Sequence, residues 1–236
     1  MLSYCIKITL AEGIGEKMLK VVVFDSGYGG ELFADYLQDN LPIIEIIRVI
    51  DWRNAEKILS RAKDARKVAE VALRPYIGKV DLIIFANYLL SITSLKYFRR
   101  KYKTQKFLGL QLPHHNTGRD TLVLTTKAVA KTINYYNFIF HLSCRSKTLA
   151  LDSWPAKIDD GELTSAEISD SFRSHFSRES FRPQDIILAC TQFNDIKAEL
   201  KACLGGNPRF HDGFYDALIK TCKILQIRGG VGKKKT

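Results

Sequence analysis

The sequence contains no long apolar run and no closely spaced pair of cysteines. Its longest apolar stretches, residues 41–50 and 82–92, are interrupted by charged or polar side chains and fall short of the roughly 20 residues that span a bilayer. The five cysteines show neither a C-x-x-C pair nor a His/Cys ligand spacing, which argues against a disulfide framework and a zinc site. The first residues lack a basic leader and a cleavage site. We therefore expect a cytoplasmic chain that contacts no membrane and binds no metal.

Acidic residues are absent from two segments, 95–106 and 217–236, each of which holds six basic residues. These segments account for the formal net charge of +11, since the rest of the 236-residue chain is nearly neutral. A basic body would indicate a nucleic-acid binder, whereas two local runs are typical of a solvated helix face and a frayed tail. We therefore expect that nucleic acid is not the main partner.

The first half of the chain alternates short apolar runs with helical patterns, which is typical of a parallel sheet covered by helices. Strands are predicted at 20–24, 43–50, 81–85 and 106–110, and helices from the first glycine-rich turn through residue 37, at 61–77 and at 91–103. Residues 1–17, which precede the second methionine, are interpreted as an extension without function.

The second half repeats this plan. Strands are predicted at 121–124, 138–142 and 185–188, and helices at 127–135 and 164–177. Residues 81–87 (DLIIFAN) and 185–191 (DIILACT) are visibly alike, as expected of pseudo-equivalent units. The predicted fold class is α/β, with two pseudosymmetric α/β domains that have parallel-sheet cores and a cleft between them.

Domain boundaries follow from this division. The predicted units are an N-terminal extension (1–17), a first α/β domain (18–112, with 207–228 returning to it), a second α/β domain (113–206) and a basic tail (229–236). The Pro-His-His-Asn-Thr-Gly loop at 113–118 is the predicted crossing between the domains.

Polar side chains follow four of the predicted strands. They lie in two pairs at nearly equal spacing, with Asp25 and Asn87 in the first half and Thr126 and Thr191 in the second. Ligands of open parallel sheets bind just beyond the carboxyl ends of the strands. We therefore expect these four ends to face one cleft.

The segment Asp25-Ser26-Gly27-Tyr28-Gly29-Gly30 resembles the D-S-G-x-G-G opening of glutamate racemase. Later segments follow in the family's order: 81–94 is similar to its strand ending in Cys-Asn-Thr, 121–132 to its Gly-Thr segment and 188–193 to its Gly-Cys-Thr-His turn. The resemblance to the aspartate/glutamate racemase superfamily covers roughly residues 18–225. It implies an active site between two α/β domains, no cofactor and a small acidic amino acid as ligand. Whether the chain forms a homodimer stays open.

In that family two cysteines face each other across the substrate α-carbon, and each exchanges a proton on one face. Cys190 matches the second cysteine, but Ala86 stands where the family has the first. Gln192 replaces a histidine, Tyr88 replaces a threonine, and residues 56–58 replace the Pro-Tyr-Gly loop that binds the substrate carboxylate. Since alanine exchanges no proton, we expect racemase activity to be weak or lost. This argues against a role in supplying D-glutamate for peptidoglycan.

The resemblance assigns a role to each matched residue. The candidate catalytic residues are Cys190, as an acid/base on one face, and Asp25, which orients the substrate. A cysteine suits proton transfer because its ordinary pKa of ~8.5 is near working pH, and we expect nearby positive dipoles to lower it further. The candidate substrate-binding residues are Ser26, Asn87, Thr126 and Thr191.

Alternatives remain open at this point. One is a one-cysteine lyase or decarboxylase of the same superfamily, in which the lone thiol protonates a carbanion. Another is a non-catalytic pseudoenzyme that binds an acidic partner or nucleic acid through the basic segments. Taken alone, Asp25-Ser26-Gly27 also fits a helix-capping turn, and Cys190 fits a small buried packing residue.

Overall fold

The computed structural model describes residues 5–9, 18–55, 58, 62–112, 119–140, 142, 145–176 and 181–232. The predicted crossing at 113–118 and the end of the basic tail at 233–236 lie outside these residues. Within the described part of the chain, every helix is too short or too polar to cross a membrane. The same residues contain no group of three or more His, Cys, Asp or Glu arranged to hold a metal ion.

The helices and strands alternate along the chain. In chain order they are β1 (Cys5–Thr9), β2 (Leu19–Asp25), α1 (Tyr28–Asn40), β3 (Ile44–Ile50), α2 (Ala62–Leu73), β4 (Leu82–Phe85), α3 (Tyr88–Lys101), β5 (Phe107–Gly109), β6 (Thr121–Thr125), α4 (Lys127–Ala130), α5 (Ile133–Phe140), β7 (Ser146–Ala150), α6 (Trp154–Asp159), α7 (Ser165–Phe176), β8 (Asp185–Leu188), α8 (Lys197–Leu204), β9 (Arg209–His211), α9 (Phe214–Leu225) and β10 (Arg228–Gly232).

Two four-stranded parallel sheets form the core of the protein. The first has the order β3-β2-β4-β5 and the second has the order β7-β6-β8-β9. The central strands have matching registers, since β2 pairs with β4 as β6 pairs with β8. The predicted α/β class with two parallel-sheet cores is therefore confirmed.

Alternate residues of the central strands enter different cores, because successive side chains of a strand point to opposite faces. Val23 of β2, Val123 of β6 and Ile187 of β8 belong to one buried cluster that spans both sheets. Phe24 and Leu124, the next residues along β2 and β6, belong instead to two separate outer clusters. Both faces of these strands are thus buried, which explains why they appear in the sequence as continuous apolar runs.

The predicted strand at 138–142 is wrong. Residues 133–140 form α5, and the strand that pairs with β6 is β7, at Ser146–Ala150. Tyr135 and Phe138, three residues apart, are both buried against the shared core, which is a helical spacing. A short apolar run does not by itself distinguish a strand from a buried helix. The predicted helix at 127–135 is likewise divided into α4 and α5, and the Thr132 hydroxyl accepts a hydrogen bond from the Tyr135 N–H at 3.2 Å.

The first and last strands of the described chain pair with each other, and the last helix packs on the first domain half. β1 pairs antiparallel with β10, with Cys5 opposite Gly232, so part of the predicted extension and part of the predicted tail form one small sheet. α9 packs on α1 through the rings of Phe214 and Phe33, whose centroids are 4.9 Å apart. The domain boundaries themselves stay a prediction.

We predict that Gly29→Ala destabilises the protein. Alanine usually stabilises a helix interior relative to glycine by about 0.5–1 kcal/mol. At this position the added Cβ would overlap Thr191 Oγ1 and lie 2.8 Å from the Gln192 backbone nitrogen, and overpacking of this kind costs about 1–3 kcal/mol. Urea unfolding checks the sign: the midpoint should fall with an unchanged m-value. A midpoint at or above that of the native chain would contradict the close approach of α1 to residue 191.

Candidate active site

The carboxyl of Asp25, at the end of β2, lies buried where the two halves meet. Its Oδ1 accepts hydrogen bonds from the Ser26 N–H at 2.7 Å and from Asn87 Nδ2 at 3.0 Å. Its Oδ2 accepts a hydrogen bond from the Thr191 hydroxyl at 3.1 Å. One carboxyl therefore joins the ends of two strands of the first sheet to the turn after β8 in the second.

Burial raises the pKa of Asp25 from 3.8 to about 7. Loss of water around the carboxylate is the main cause, and the hydrogen bonds from Asn87, Ser26 and Thr191 offset only part of it. The nearby carboxylate of Asp159 raises the pKa further. Asp25 is thus poised to gain or lose a proton near neutral pH.

Cys190 follows β8 and precedes the 3₁₀ turn at Thr191–Asn194. Its thiol is buried and donates a hydrogen bond to Gln192 Oε1 at 3.1 Å. Burial, together with the negative charge of Asp25, raises the pKa of the Cys190 thiol well above its ordinary value. This is the opposite of the lowered pKa expected from the sequence, so Cys190 is a neutral thiol at neutral pH.

Ala86 occupies the position in the first half that corresponds to Cys190 in the second. Each residue stands just before the strand-end polar residue, Asn87 or Thr191, that bonds to Asp25. Ala86 is fully buried and carries no group that can exchange a proton. The described site therefore has one thiol, Cys190, where the resemblance implies two facing thiols.

The four remaining predicted site residues differ in their surroundings. Asn87 caps α3, since its Oδ1 accepts the Leu90 N–H at 3.0 Å while its Nδ2 holds Asp25. Thr126 caps α4 instead, and its hydroxyl accepts a hydrogen bond from the Val129 N–H, three residues further along the chain, at 3.5 Å. Ser26 holds Asp25 through its backbone, and its hydroxyl is buried without a hydrogen-bond partner among the described residues.

Asp159, at the end of α6, is a site residue that the sequence did not reveal. Its Oδ1 accepts the Tyr28 N–H at the start of α1 at 3.1 Å, and its Oδ2 accepts from Gln192 Nε2 at 3.5 Å. Burial raises its pKa as well. The Trp154-Pro155 pair, which is typical of a helix start, could have identified α6, but no motif pointed to Asp159.

Gln192 links the thiol to this second carboxylate, because its amide accepts from Cys190 and donates to Asp159. The sequence presented Gln192 only as a departure from the family's histidine. In the structure it completes a network of polar groups, because the Thr191 hydroxyl lies 3.3 Å from Gln192 Oε1 and 3.1 Å from Asp25 Oδ2 and so connects Asp159 and Gln192 to Asp25. None of the side-chain hydrogen-bond partners described above is a lysine or arginine, so a bound anion would depend on N–H and hydroxyl donors here.

We predict that Asp25→Asn removes a pH-dependent loss of stability. Because the pKa is raised from 3.8 to about 7, the native state binds more protons than the unfolded state between these values. Stability therefore falls as pH rises through this window and levels off above it. An asparagine retains acceptors for Ser26 and Asn87 and carries no charge. The variant should exceed the native chain in stability at pH 8, by on the order of 4 kcal/mol, and match it below pH 4.

Urea unfolding between pH 4 and pH 8 measures this difference. Asp39→Asn, which changes an exposed carboxyl of α1, is the matched control and should follow the native profile. Parallel profiles for Asp25→Asn and the native chain would contradict a raised pKa at Asp25.

Comparison with known proteins supports the fold. No family model and no curated protein matches the chain. Among solved structures it is similar to glutamate racemase from Escherichia coli in complex with L-glutamate and the activator UDP-MurNAc-Ala, with a TM-score of 0.78 and 20% identity over 93% of this chain and 87% of that one.

Two further solved structures agree. Glutamate racemase from Campylobacter jejuni subsp. jejuni has a TM-score of 0.74 and 21% identity, covering 92% of this chain and 90% of that one. Aspartate racemase from Picrophilus torridus has a TM-score of 0.58 and 14% identity, covering 90% and 95%. At these identities the likeness establishes the architecture alone, so this chain has the same fold as these glutamate and aspartate racemases.

Proposed function

We propose that this chain binds a small acidic amino acid between its two halves, without a cofactor, and exchanges a proton on only one face of the α-carbon. The observation that carries the proposal is the unequal pair of strand ends: Cys190 follows β8, and Ala86 follows β4 at the corresponding position. Two-base inversion needs a proton donor on each face. With one thiol, inversion should be weak or lost.

Unused and displaceable donors support the binding of an amino acid. The Ser26 hydroxyl is buried and lacks a partner among the described residues, and a buried polar group without a partner costs about 1–3 kcal/mol. A ligand carboxylate or ammonium group would supply that partner. The solved glutamate racemase of similar fold from Escherichia coli holds L-glutamate.

Asp159 bears on how a ligand would enter. Its carboxylate accepts a hydrogen bond from the Tyr28 N–H at the start of α1. The N-terminus of a helix favours negative charge. A ligand carboxylate at this position would replace Asp159, which would then turn toward solvent, since it is only about half buried. The proposal therefore includes a small separation of α6 from α1 on binding. Asp25, with a pKa of about 7, would orient the ligand's ammonium group when ionised.

Hydrogen exchange in D2O tests the proposal directly. We predict that the native chain exchanges the α-proton of one enantiomer of glutamate or aspartate, with little inversion, because one thiol reaches one face only. NMR of L- and D-glutamate and L- and D-aspartate measures both exchange and inversion. Cys190→Ala should abolish the exchange, and Cys203→Ala, which changes a half-buried thiol packed on the outer core of the second half, is the matched control.

The other outcomes are equally informative. Exchange that survives in Cys190→Ala, or rapid inversion by the native chain, would contradict one-thiol chemistry. Absence of exchange with all four amino acids would overturn the proposed reaction.

We further predict that Ala86→Cys increases inversion relative to the native chain, by at least tenfold, because it supplies a thiol at the position equivalent to Cys190. Polarimetry or chiral chromatography of D- and L-glutamate measures the gain. Ala86→Ser is the control, since a hydroxyl of similar size is a far weaker acid than a thiol. Equal rates for the cysteine and serine variants would show that the site lacks more than a second thiol.

A one-thiol lyase is the second candidate, and the neutral state of Cys190 favours it. A thiol whose pKa is raised stays protonated at neutral pH and seldom exists as a thiolate, so it can protonate a strong base such as a carbanion but seldom removes a proton. In a lyase of this kind, cleavage of a carbon–carbon bond releases CO2 and leaves an electron pair on carbon, and the thiol then protonates that carbanion. The exchange experiment separates the two functions, because a lyase leaves the α-protons of all four amino acids in place.

A further inference from the structure

The two basic segments of the sequence meet in the structure, although more than one hundred residues separate them. Lys106, at the end of the first segment, donates a hydrogen bond to the Ile224 carbonyl of α9 at 3.3 Å. Lys220 of α9 bonds to the side chain of Gln111, just after β5. The last turns of α9 therefore lie against β5, which is an edge strand of the first sheet.

An open groove of about 430 Å³ lies at this junction, and we call it the basic groove. Its lining consists of Arg99, Lys103, Gln105, Lys106, Phe107 and Ile224. Three of the six are cations and none is acidic. The nearest acidic residue on α9, Asp216, precedes Ile224 by eight positions, roughly 12 Å along the helix.

The free polar groups of the basic groove are hydrogen-bond donors. Arg99 uses Nε and Nη2 to hold the Phe107 carbonyl at 3.0 and 2.8 Å, and a guanidinium has further N–H groups to offer. The Ile224 carbonyl accepts a hydrogen bond from Lys106, and the Gln105 amide oxygen accepts one from the Gly78 N–H. The Phe107 and Ile224 carbonyls and the Gln105 amide oxygen thus each accept a hydrogen bond, while the cations retain N–H groups.

Lys103 differs from the neighbouring Lys101. Lys101 pairs with Glu70, whose carboxylate also accepts hydrogen bonds from Tyr97 and Tyr102. Lys103 is exposed and has neither a hydrogen-bond nor an ion-pair partner among the described residues. Part of the basic segment 95–106 is therefore neutralised within the fold, whereas Lys103, which lines the groove, is not.

We propose that the basic groove is a docking surface for the phosphate backbone of a nucleic acid. A phosphodiester chain carries negative charge and only hydrogen-bond acceptors, which matches a lining of cations and free donors. An acidic peptide also needs acceptors for its own N–H groups, and the Phe107 and Ile224 carbonyls and the Gln105 amide oxygen each already accept a hydrogen bond. The surface lies apart from the site around Asp25 and serves a function beyond the proposed proton exchange.

Fluorescence anisotropy with a labelled single-stranded RNA of mixed sequence tests this surface, with salt varied from 50 to 200 mM. Three phosphate contacts predict a log–log salt slope of about −2. Lys103→Gln should weaken binding about fivefold at 0.1 M salt and reduce the slope by about 0.7. Lys201→Gln, which removes another exposed lysine, from α8 in the other half, is the control and should bind as the native chain does.

A second variant covers the groove's other cations. The double variant Arg99→Gln, Lys106→Gln should lower the affinity for RNA further. Thermal unfolding of this variant shows whether the fold remains stable when the Phe107 and Ile224 carbonyls lose these hydrogen bonds. Equal weakening by Lys103→Gln and Lys201→Gln would overturn the proposal, because binding would then follow overall charge.

Two competitors complete the test. Poly-glutamate that displaces the RNA at equal charge concentration would assign the groove to an acidic polypeptide and overturn the proposal. A nucleoside monophosphate that competes as well as the RNA would assign it to a small ligand, with the same consequence. Absence of RNA binding at 50 mM salt would also overturn it.

Discussion

The hydrogen bond from the Thr191 hydroxyl to the buried carboxyl of Asp25 is the contact on which the candidate site depends. It spans 166 residues of sequence at 3.1 Å and places the turn after β8 directly against the start of α1. Such an approach leaves no room for side chains on α1 at that point. A Cβ on Gly27 would lie 2.5 Å from Asp159 Oδ2 and 2.6 Å from Gln192 Nε2. Since the φ of Gly27 is −158°, the glycine is required by close packing and not by a left-handed backbone.

The same closeness sets the chemistry of the site. Burying a carboxyl between two sheets removes its water, and three donors restore only part of the lost solvation, so its pKa rises. The thiol of Cys190 is buried beside that carboxyl and is stabilised in its neutral form by the same two causes, desolvation and negative charge. In this arrangement the Cys190 thiol stays protonated, and the thiolate that the proposed exchange requires would form only when the site is rehydrated. Rehydration of both groups would lower both pKa values, so a ligand that separated the two halves would also favour the ionised form of Asp25.

The sequence predicted the strand ends well because buried parallel strands are short, continuous and apolar, and each ends at a polar residue. Asp25, Asn87 and Thr191 could be placed together on that basis alone. Asp159 could not, because it depends on α6, and its contact with α1 joins residues 131 positions apart. The direction of the Cys190 pKa was also beyond the sequence, since it depends on how deeply the thiol is buried. The strand predicted at 138–142 failed for a third reason: an apolar run of that length fits a buried helix equally well.

Two replacements relative to the family pattern act in the same direction. A histidine at position 192 could carry a positive charge beside Cys190, which would favour the thiolate. Gln192 carries no charge. Its Oε1 instead accepts a hydrogen bond from the Cys190 thiol, and its Nε2 donates a hydrogen bond to Asp159. Ala86 removes the partner thiol, and Gln192 removes the group that would have activated the remaining one.

Both changes leave the packing between the halves intact, because an alanine fills the buried position after β4 and the Gln192 amide bridges Cys190 and Asp159 without a net charge. A cleft that had lost its function by drift would be expected to show unpaired polar atoms throughout. Here the Asp25, Asn87, Thr191, Gln192 and Asp159 side chains are joined by hydrogen bonds, and the Ser26 hydroxyl and Asn194 Oδ1 are buried without a partner among the described residues.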